Sequence, residues 1–118
     1  MLRVMTDVEA AWVGAMIEGE GCIRMIGSIG NRLGRIRVTS TDVETISTLL
    51  RVTGAGTVRG RSISGSPLSK KPQWEWEVHR VGEIPGLLMQ VAPYLISKTA
   101  KAERVLNIHS NALAERAV

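Results

Sequence analysis

Two glutamates separated by one glycine, Glu18 and Glu20, have clear potential for chemistry in this sequence. They fall at the C-terminal end of a predicted helix, where the helix dipole disfavours negative charge. A cation beside them would explain why carboxylates occupy that place. A few carboxylate oxygens that leave room for water and phosphate suit magnesium. The alternative is that these glutamates are ordinary solvated surface residues.

A second group of residues places positive charge at alternate positions of two predicted strands. Arg35 and Arg37 alternate in one strand, and Arg59 and Arg61 alternate in another. Because successive side chains of a strand point to opposite faces, these arginines should share one face of a sheet. A twisted antiparallel ribbon with such a face can enter the major groove of DNA, where arginine suits bidentate recognition of guanine. The alternative is a solvated face, which is common in antiparallel sheets.

The same alternation divides the other strand residues into two sets. The predicted basic face carries Arg24, Arg35, Arg37, Thr57, Arg59, Arg61, Gln73, Glu75, Glu77 and His79. The predicted core set is Ile23, Met25, Ile36, Val38, Val58, Trp74, Trp76 and Val78. On the basic face, Glu75 and Glu77 either offset charge or accept hydrogen bonds from cytosine. Lys70 and Lys71, in a loop rich in glycine, serine and proline, are expected to contact phosphates.

The elements that position these residues follow from caps, glycines and hydrophobic periodicity. Asp7 predicts the start of a first helix that ends near Glu18, with left-handed glycines at Gly19 and Gly21. Thr41 and Glu44 form a possible capping box for a second helix. The predicted strands are Cys22–Ile26, Arg32–Thr39, Thr57–Ile63 and Gln73–His79, with a turn at Gly27–Asn31 and a loop at Ser64–Pro72. Later helices are predicted around Ile84–Val91, closed by Pro93, and from Ser97 onwards. The order is therefore αββαββα(α), an α+β fold in which two αββ units share one sheet.

The first predicted helix is apolar nearly all round, so it needs cover on a second face. One small domain has too few residues to bury a second face of this helix, so a partner chain is expected to cover it. Small residues recur every four positions at Ala11, Ala15 and Gly19, which lets two helices approach closely. Gly14 in mid-helix costs up to about 1 kcal/mol relative to alanine and asks for a packing reason. The predicted dimer interface is Ala11, Gly14, Ala15 and Glu18.

The nine residues Val13–Gly21 (VGAMIEGEG) resemble the signature of the LAGLIDADG homing endonucleases. The resemblance extends through Cys22-Ile23 and continues at Gly54–Arg59 (GAGTVR) and Val91–Lys98 (VAPYLISK). Together these segments cover most of the chain in the family's order. The resemblance implies an αββαββα fold with a four-stranded antiparallel saddle-shaped sheet and helices on one face. It also implies a homodimer with one motif per subunit.

The resemblance further implies a mechanism. Glu20, with Gly19 beside it, would bind a divalent metal, which is Mg²⁺ or alternatively Mn²⁺. Lys98 would stabilise charge or assist the attacking water. Each metal can polarise a phosphoryl oxygen and help generate hydroxide. The leading hypothesis is a homodimeric, site-specific homing endonuclease that makes double-strand breaks in a long, nearly palindromic DNA target, because two-fold protein symmetry requires a similar symmetry in the site.

Two positions depart from the pattern of some relatives. Ser40 stands where they have a glutamine that borders the active site, and Glu44 stands where they have a basic residue. Serine can hold a catalytic water only by a shorter arm, and glutamate reverses the charge. These departures motivate an alternative: a catalytically weak or inactive protein of the same fold that binds DNA or RNA, as a regulator or a maturase. A third hypothesis, a small α+β domain that binds a ligand or a protein, treats the arginines as solvated.

The bulk properties fit these hypotheses. The 118 residues suit one domain, and 44% hydrophobic with 22% charged residues is an ordinary soluble composition. The net charge is +4 and most of the basic residues are arginines, which is compatible with a nucleic-acid partner. The single cysteine, Cys22, suits a reducing compartment. With no apolar run long enough for a membrane span and no signal-peptide pattern, we expect a cytoplasmic protein without a membrane partner, encoded by an intron or phage in a bacterial, archaeal or phage-infected cell.

Overall fold

Four α-helices, one short 3-10 helix (Ala92–Tyr94) and four strands make up the regular structure in the described part of the chain. The computed structural model describes residues 1–26, 33–61 and 72–116, of which 61 and 111–116 are described for the backbone only. The helices are α1 (Asp7–Glu20), α2 (Val43–Thr53), α3 (Ile84–Val91) and α4 (Thr99–Arg116). The strands are β1 (Gly21–Ile26), β2 (Leu33–Ser40), β3 (Thr57–Arg61) and β4 (Gln73–Val78). The predicted α+β order αββαββα(α) is confirmed. Nearly all of the predicted turn and loop, with Lys70 and Lys71, lies outside the described residues.

All the strand pairs of the sheet are antiparallel, and its spatial order is β1-β2-β4-β3. Each hairpin unit supplies two neighbouring strands, and β2 and β4 join the units at the centre. Ile36 pairs with both Ile23 and Val78, and Val38 pairs with Trp76. These partners are all buried, so the predicted division of the strands into a core face and an outer face is confirmed.

The core lies between the helices and the inner face of the sheet. Trp76 is the largest fully buried side chain, and its indole Nε1–H donates to the carbonyl of Ala55 over 2.9 Å. The helices contribute buried aliphatic residues to the same cluster, chiefly Val13, Ile17, Ile46, Leu49, Ile84, Leu87, Leu88 and Val91. Among the described residues, one apolar cluster packs against the sheet's inner face, and no helix covers its outer face.

The first helix starts and ends differently from the prediction. Thr6, and not Asp7, is the N-cap: its hydroxyl accepts the N–H of Glu9, and the Glu9 carboxylate accepts the N–H of Thr6. This reciprocal capping box satisfies two groups that a helix start leaves open. The helix continues to Glu20, and Gly21 takes an extended conformation instead of the predicted left-handed one. The chain therefore passes from α1 directly into β1.

The other boundaries shift by one or two residues. The cap of α2 is Asp42, whose carboxylate accepts the N–H of Glu44, and not the predicted Thr41–Glu44 box. Gly54 ends α2 in a left-handed conformation with φ of 65°, as glycine permits. Helix α4 begins at Thr99, two residues after the predicted start at Ser97. Within the described ranges, no helix is long and apolar enough to cross a membrane.

Candidate nucleic-acid interface and cleavage site

The outer face of the sheet gathers the predicted arginines, and we call it the arginine face. Cross-strand pairing places Arg24 beside Arg35, Arg37 beside Glu77, and Arg59 beside Glu75. The register adds Thr57 and Gln73 to this face, and Arg61, which is described for its backbone alone, pairs with Gln73. His79 follows β4 immediately and is exposed. The sequence therefore grouped these residues correctly.

The two glutamates of β4 turn the arginine face into an alternating network of charges. Glu75 has a fully buried side chain, although it lies on the outer face. Its Oε1 lies 3.0 Å from Nε of Arg37, and its Oε2 accepts a hydrogen bond of 2.7 Å from Nε of Arg59. A carboxylate enclosed by two guanidinium groups is compensated for its burial. In this arrangement the buried carboxylate of Glu75 offsets the charge of the two arginines.

Glu77 bridges the same network more loosely. Its carboxylate lies 3.6 Å from a terminal nitrogen of Arg59, 4.0 Å from Nε of Arg35 and 3.9 Å from Nδ1 of His79. The Arg59 side chain remains 65% exposed, whereas Arg35 and Arg37 are about four-fifths buried, at 19% and 21% exposed. Arg59 is therefore far more accessible to a ligand on this face than either of those two.

The end of α1 is tied to the start of α4 by the Glu18 carboxylate. Its oxygens accept the backbone N–H groups of Ile96, Ser97 and Lys98 and the hydroxyl of Ser97. A carboxylate at a helix N-terminus is stabilised by the open N–H groups and by the helix dipole. The hydroxyl of Ser97, followed by the backbone N–H groups, lowers the pKa of Glu18 to about 2. The positive end of α4 thus explains a carboxylate that the dipole of α1 alone would disfavour.

Lys98 completes this junction. Its ammonium donates to the backbone carbonyl of Glu18 over 2.5 Å, which places the amine at the C-terminal end of α1. Glu20 ends the same helix with an exposed side chain, and no described residue pairs with its carboxylate. The two acidic residues of the motif therefore differ. The Glu18 carboxylate is hydrogen-bonded to the start of α4, and the Glu20 carboxylate remains available to a ligand.

Ser40 lies at the same end of the sheet. Gly21 pairs with Val38, so in the antiparallel register Ser40 lies two residues further towards the end of α1. Its hydroxyl accepts the N–H of Asp42 over 3.0 Å, next to the cap of α2. The structure therefore places Glu20, Lys98 and Ser40 at one end of the sheet, and the Ser40 hydroxyl takes part in a local turn.

Two residues of the predicted interface on α1 have contacts within their own chain. Gly14 is buried within its own chain, where a Cβ atom would lie 2.8 Å from Cβ of Tyr94, so its missing side chain is explained by packing against the segment after α3. Glu18 serves the α4 cap described above. Ala15 and Gly19 are exposed and Ala11 is half-buried, and a Cβ at Gly19 would meet no atom within 4 Å. The small-residue ridge therefore consists of Ala11, Ala15 and Gly19 alone.

A metal ion at Glu20 would need oxygen ligands from outside the chain. In the ranges the structure describes, no three His, Cys, Asp or Glu side chains come together in a metal-binding group. One free carboxylate at an exposed helix end, next to the backbone carbonyl of Gly19, fits an ion such as Mg²⁺ that also takes water and phosphate oxygens. The donor set is hence compatible with a metal that binds together with a phosphate-bearing partner.

Several solved structures share this fold. The chain superimposes on the homing endonuclease I-CvuI in complex with its target with a TM-score of 0.70 and 21% identity, over 88% of this chain and 67% of that one. The archaeal intron-encoded homing endonuclease I-Vdi141I, complexed with DNA, gives a TM-score of 0.72 with 15% identity, over 92% and 70%. The LAGLIDADG meganuclease I-AabMI gives 0.70 with 19% identity over 92% of this chain, which spans only 38% of that protein.

No protein-family model matches the sequence, and no curated protein sequence matches it. The structural likeness, at these identities, establishes the fold. The chain has the LAGLIDADG homing-endonuclease fold, and the resemblance predicted from Val13–Gly21 is confirmed at that level.

Sequence reasoning missed two features of the site. Ser97 was expected only as the start of a helix, yet its hydroxyl and N–H hold Glu18. A serine just before a helix is a usual signal for a terminal cap, but its partner here is 79 residues away. The burial of Glu75 was also missed, because alternation assigns a residue to a face without giving its depth.

Proposed function

We propose that the chain is a homodimeric, divalent-metal-dependent endonuclease that cuts a long, nearly palindromic DNA site. The observation that carries the proposal is the exposed Glu20 at the end of α1, directly before the first strand of the arginine face, with the Lys98 ammonium bound to the Glu18 carbonyl of the same helix end. A metal ligand, a cation and a basic groove-sized surface are the parts that phosphodiester hydrolysis on a duplex requires.

The dimer part of the proposal rests on the exposed side of α1. Val8 is 79% exposed, and the ridge residues Ala15 and Gly19 are exposed as well. A second copy packed against this ridge could approach closely, because small residues allow close helix packing. The Glu20 residues of the two copies would then lie near one another at the two-fold axis, one for each DNA strand.

In this proposal each residue of the cleavage site has a separate task. Glu20, with the Gly19 carbonyl beside it, would hold Mg²⁺ or Mn²⁺, which supplies Lewis acidity at the phosphate when bound. The Lys98 ammonium would offset negative charge that develops on the phosphate oxygens. The Ser40 hydroxyl would orient water from the end of β2. The solved complex of I-CvuI with its target in the presence of calcium supports a divalent ion in this role.

DNA recognition would use the arginine face. Arg59, Arg37, Arg35 and Arg24 are the proposed groove contacts, with Gln73, Thr57 and His79 beside them. Lys70 and Lys71 are proposed phosphate contacts, and Arg61 is a further groove candidate on the basis of its register. Because arginine contacts to phosphate release counterions, we expect an affinity that falls steeply with salt.

The decisive experiment uses a randomised duplex library incubated with the full chain and Mg²⁺. Site-specific double-strand cuts that require the metal support the enzyme. Glu20→Gln should lower the cutting rate roughly a hundredfold or more while leaving duplex binding intact, since metal polarisation contributes several kcal/mol to such a step. Sedimentation with a palindromic selected site should give two chains per duplex.

A second candidate is a protein of this fold that binds DNA or RNA without cutting, as a regulator or maturase. The engagement of the Ser40 hydroxyl with Asp42 favours it, because that hydroxyl is then less available to hold a water. Salt-sensitive binding without cuts, in both wild type and Glu20→Gln, would select this candidate. Absence of any salt-sensitive binding would instead leave a small α+β domain with a solvated face.

A further inference from the structure

We propose that Glu75 is a specificity-determining positioning residue that fixes Arg37 and Arg59 for the recognition of two G·C base pairs. This proposal rests on the DNA-binding part of the proposed function. It adds a base class, guanine, and a residue that acts on specificity without touching DNA.

The geometry of the carboxylate supports this role. Its two oxygens are divided between two arginines from different strands, with Oε1 at 3.0 Å from Nε of Arg37 and Oε2 at 2.7 Å from Nε of Arg59. Strand β4, which carries Glu75, lies between the strands that carry those arginines. One central carboxylate therefore contacts a side chain on each flank, through a hydrogen bond with Arg59 and an ion pair with Arg37.

The atoms that Glu75 contacts determine what is left for a ligand. In both arginines it contacts the Nε atom, which is the inner nitrogen of the guanidinium. Arg59 keeps a side chain that is 65% exposed, and one of its outer nitrogens lies 3.6 Å from Glu77, so the guanidinium remains accessible to a ligand. Two parallel N–H groups of a guanidinium match O6 and N7 of guanine in the major groove. An arginine whose rotamers are already restricted loses less freedom when it binds.

The depth of Glu75 excludes the alternative that it contacts a base itself. Its side chain is fully buried, whereas Glu77 beside it retains 15% exposure and contacts its arginines only at 3.6 Å or more. A cytosine amine could reach Glu75 only after both arginines had moved. The glutamate is thus placed to orient the arginines and not to accept from DNA.

The same contacts predict how far apart the two base pairs are. Because both Nε atoms contact one carboxylate, they lie within about 8 Å of each other, which is about two base-pair steps at 3.4 Å each. We therefore expect Arg37 and Arg59 to contact G·C pairs no more than about three positions apart within a half-site.

The experiment is parallel selection from one randomised duplex library with the full-length chain and four variants. The variants are Glu75→Gln, Arg37→Lys, Arg59→Lys and Glu103→Gln. Each lysine variant keeps its charge but loses the planar fork, so each should relax guanine preference at a single position by roughly tenfold or more. Glu75→Gln should relax both of those positions together. Glu103→Gln removes the same charge from an exposed site on α4 and should leave every preference unchanged.

Binding to a nonspecific duplex distinguishes orientation from simple charge. If Glu75 only offsets charge, Glu75→Gln should raise the affinity for selected and nonspecific duplexes by the same factor. It should then also select the same DNA sequence as the wild-type protein, and this result would overturn the proposal. Selection of relaxed positions that differ from those of the two lysine variants would overturn it as well. Thermal melts check that Glu75→Gln folds. If it does not fold, the two lysine variants still test the model, which requires each of them to relax a different guanine position. The model is refuted if both relax the same position or if neither relaxes any. A wild-type chain without salt-sensitive duplex binding would mean that the proposed function itself has failed.

Discussion

The buried imidazole of His109 accepts a hydrogen bond from the backbone N–H of Gly34, with 3.0 Å between Nε2 and the amide nitrogen. Strand β4 ends at Val78, opposite Ile36, so Gly34 lies past the paired part of β4. The histidine of α4 therefore supplies the acceptor that the neighbouring strand no longer provides. Because Nε2 accepts, it carries no proton, and the imidazole is neutral with its proton on Nδ1.

This contact predicts a fall in stability in mild acid. Burial lowers the pKa of His109 below its ordinary value of 6.5. The unfolded chain binds a proton first as the pH falls, so the contribution of the neutral histidine is complete above pH 6.5 and declines below it. Urea unfolding at a series of pH values should show this decline in the wild type and in His79→Gln, which changes an exposed histidine. His109→Gln should lack this component, and an unchanged profile in that variant would contradict the assignment.

A methyl group at Gly34 should be costly. A Cβ atom there would lie 2.5 Å from Cγ1 of Val105 and 3.2 Å from Nε2 of His109, both of which belong to buried side chains. Gly34→Ala should lower the free energy of unfolding by about 1–3 kcal/mol, which is typical of overpacking. Gly82→Ala is the matched control, since its Cβ would meet no atom within 4 Å. Equal stability of the two variants would disprove the close packing of α4 on β2.

Two glycines of α1 should respond oppositely to alanine. Gly14→Ala brings a Cβ to 2.8 Å from Cβ of Tyr94 and should destabilise the single chain by roughly 1 kcal/mol, because overpacking exceeds the gain in helix propensity. Gly19→Ala meets nothing in its own chain, so its unfolding should be unchanged or slightly more difficult. If α1 forms the dimer seam, however, Gly19→Ala should weaken the dimer in sedimentation. A dimer of wild-type affinity in that variant would refute the proposed seam.

The Glu18 cap should be detectable in strong acid. Hydrogen bonds from Ser97 and from backbone N–H groups lower the pKa of Glu18 from 4.5 to about 2. Its contribution to stability is therefore complete above about pH 4.5 and is lost as the pH falls towards 2. Glu18→Gln should have a lower Tm than the wild type at pH 7, and the difference should shrink over that interval.

Glu20→Gln is the matched control for the Glu18 cap, because no described residue pairs with the Glu20 carboxylate. Its thermal unfolding should follow that of the wild type throughout the same pH interval. The same result would show that any loss of cutting in Glu20→Gln reflects chemistry and not unfolding. A Tm that falls as far in this variant as in Glu18→Gln would contradict the unequal roles of the two glutamates.

The sequence by itself determined which residues share a face of the sheet. Strand side chains alternate with a fixed period of two. Arg35 and Arg37 therefore had to lie on the other face of the sheet from Ile36 and Val38, whichever strands paired with β2. The order of elements was likewise set by local caps and glycines, with errors of one or two residues at the ends. The motif Val13–Gly21 placed the chain with a family whose fold the structure confirms.

Only the tertiary structure decided which side of α1 faces inwards and what its glutamates do. A helix that is apolar all round has no periodicity from which its buried side can be assigned, so the sequence did not show that Gly14 packs within its own chain whereas Gly19 is exposed. Glu18 and Glu20 differ because Ser97, far along the chain, happens to be brought to one of them and not to the other. Such contacts depend on how the elements pack together, and that packing cannot be predicted from a local pattern of residues.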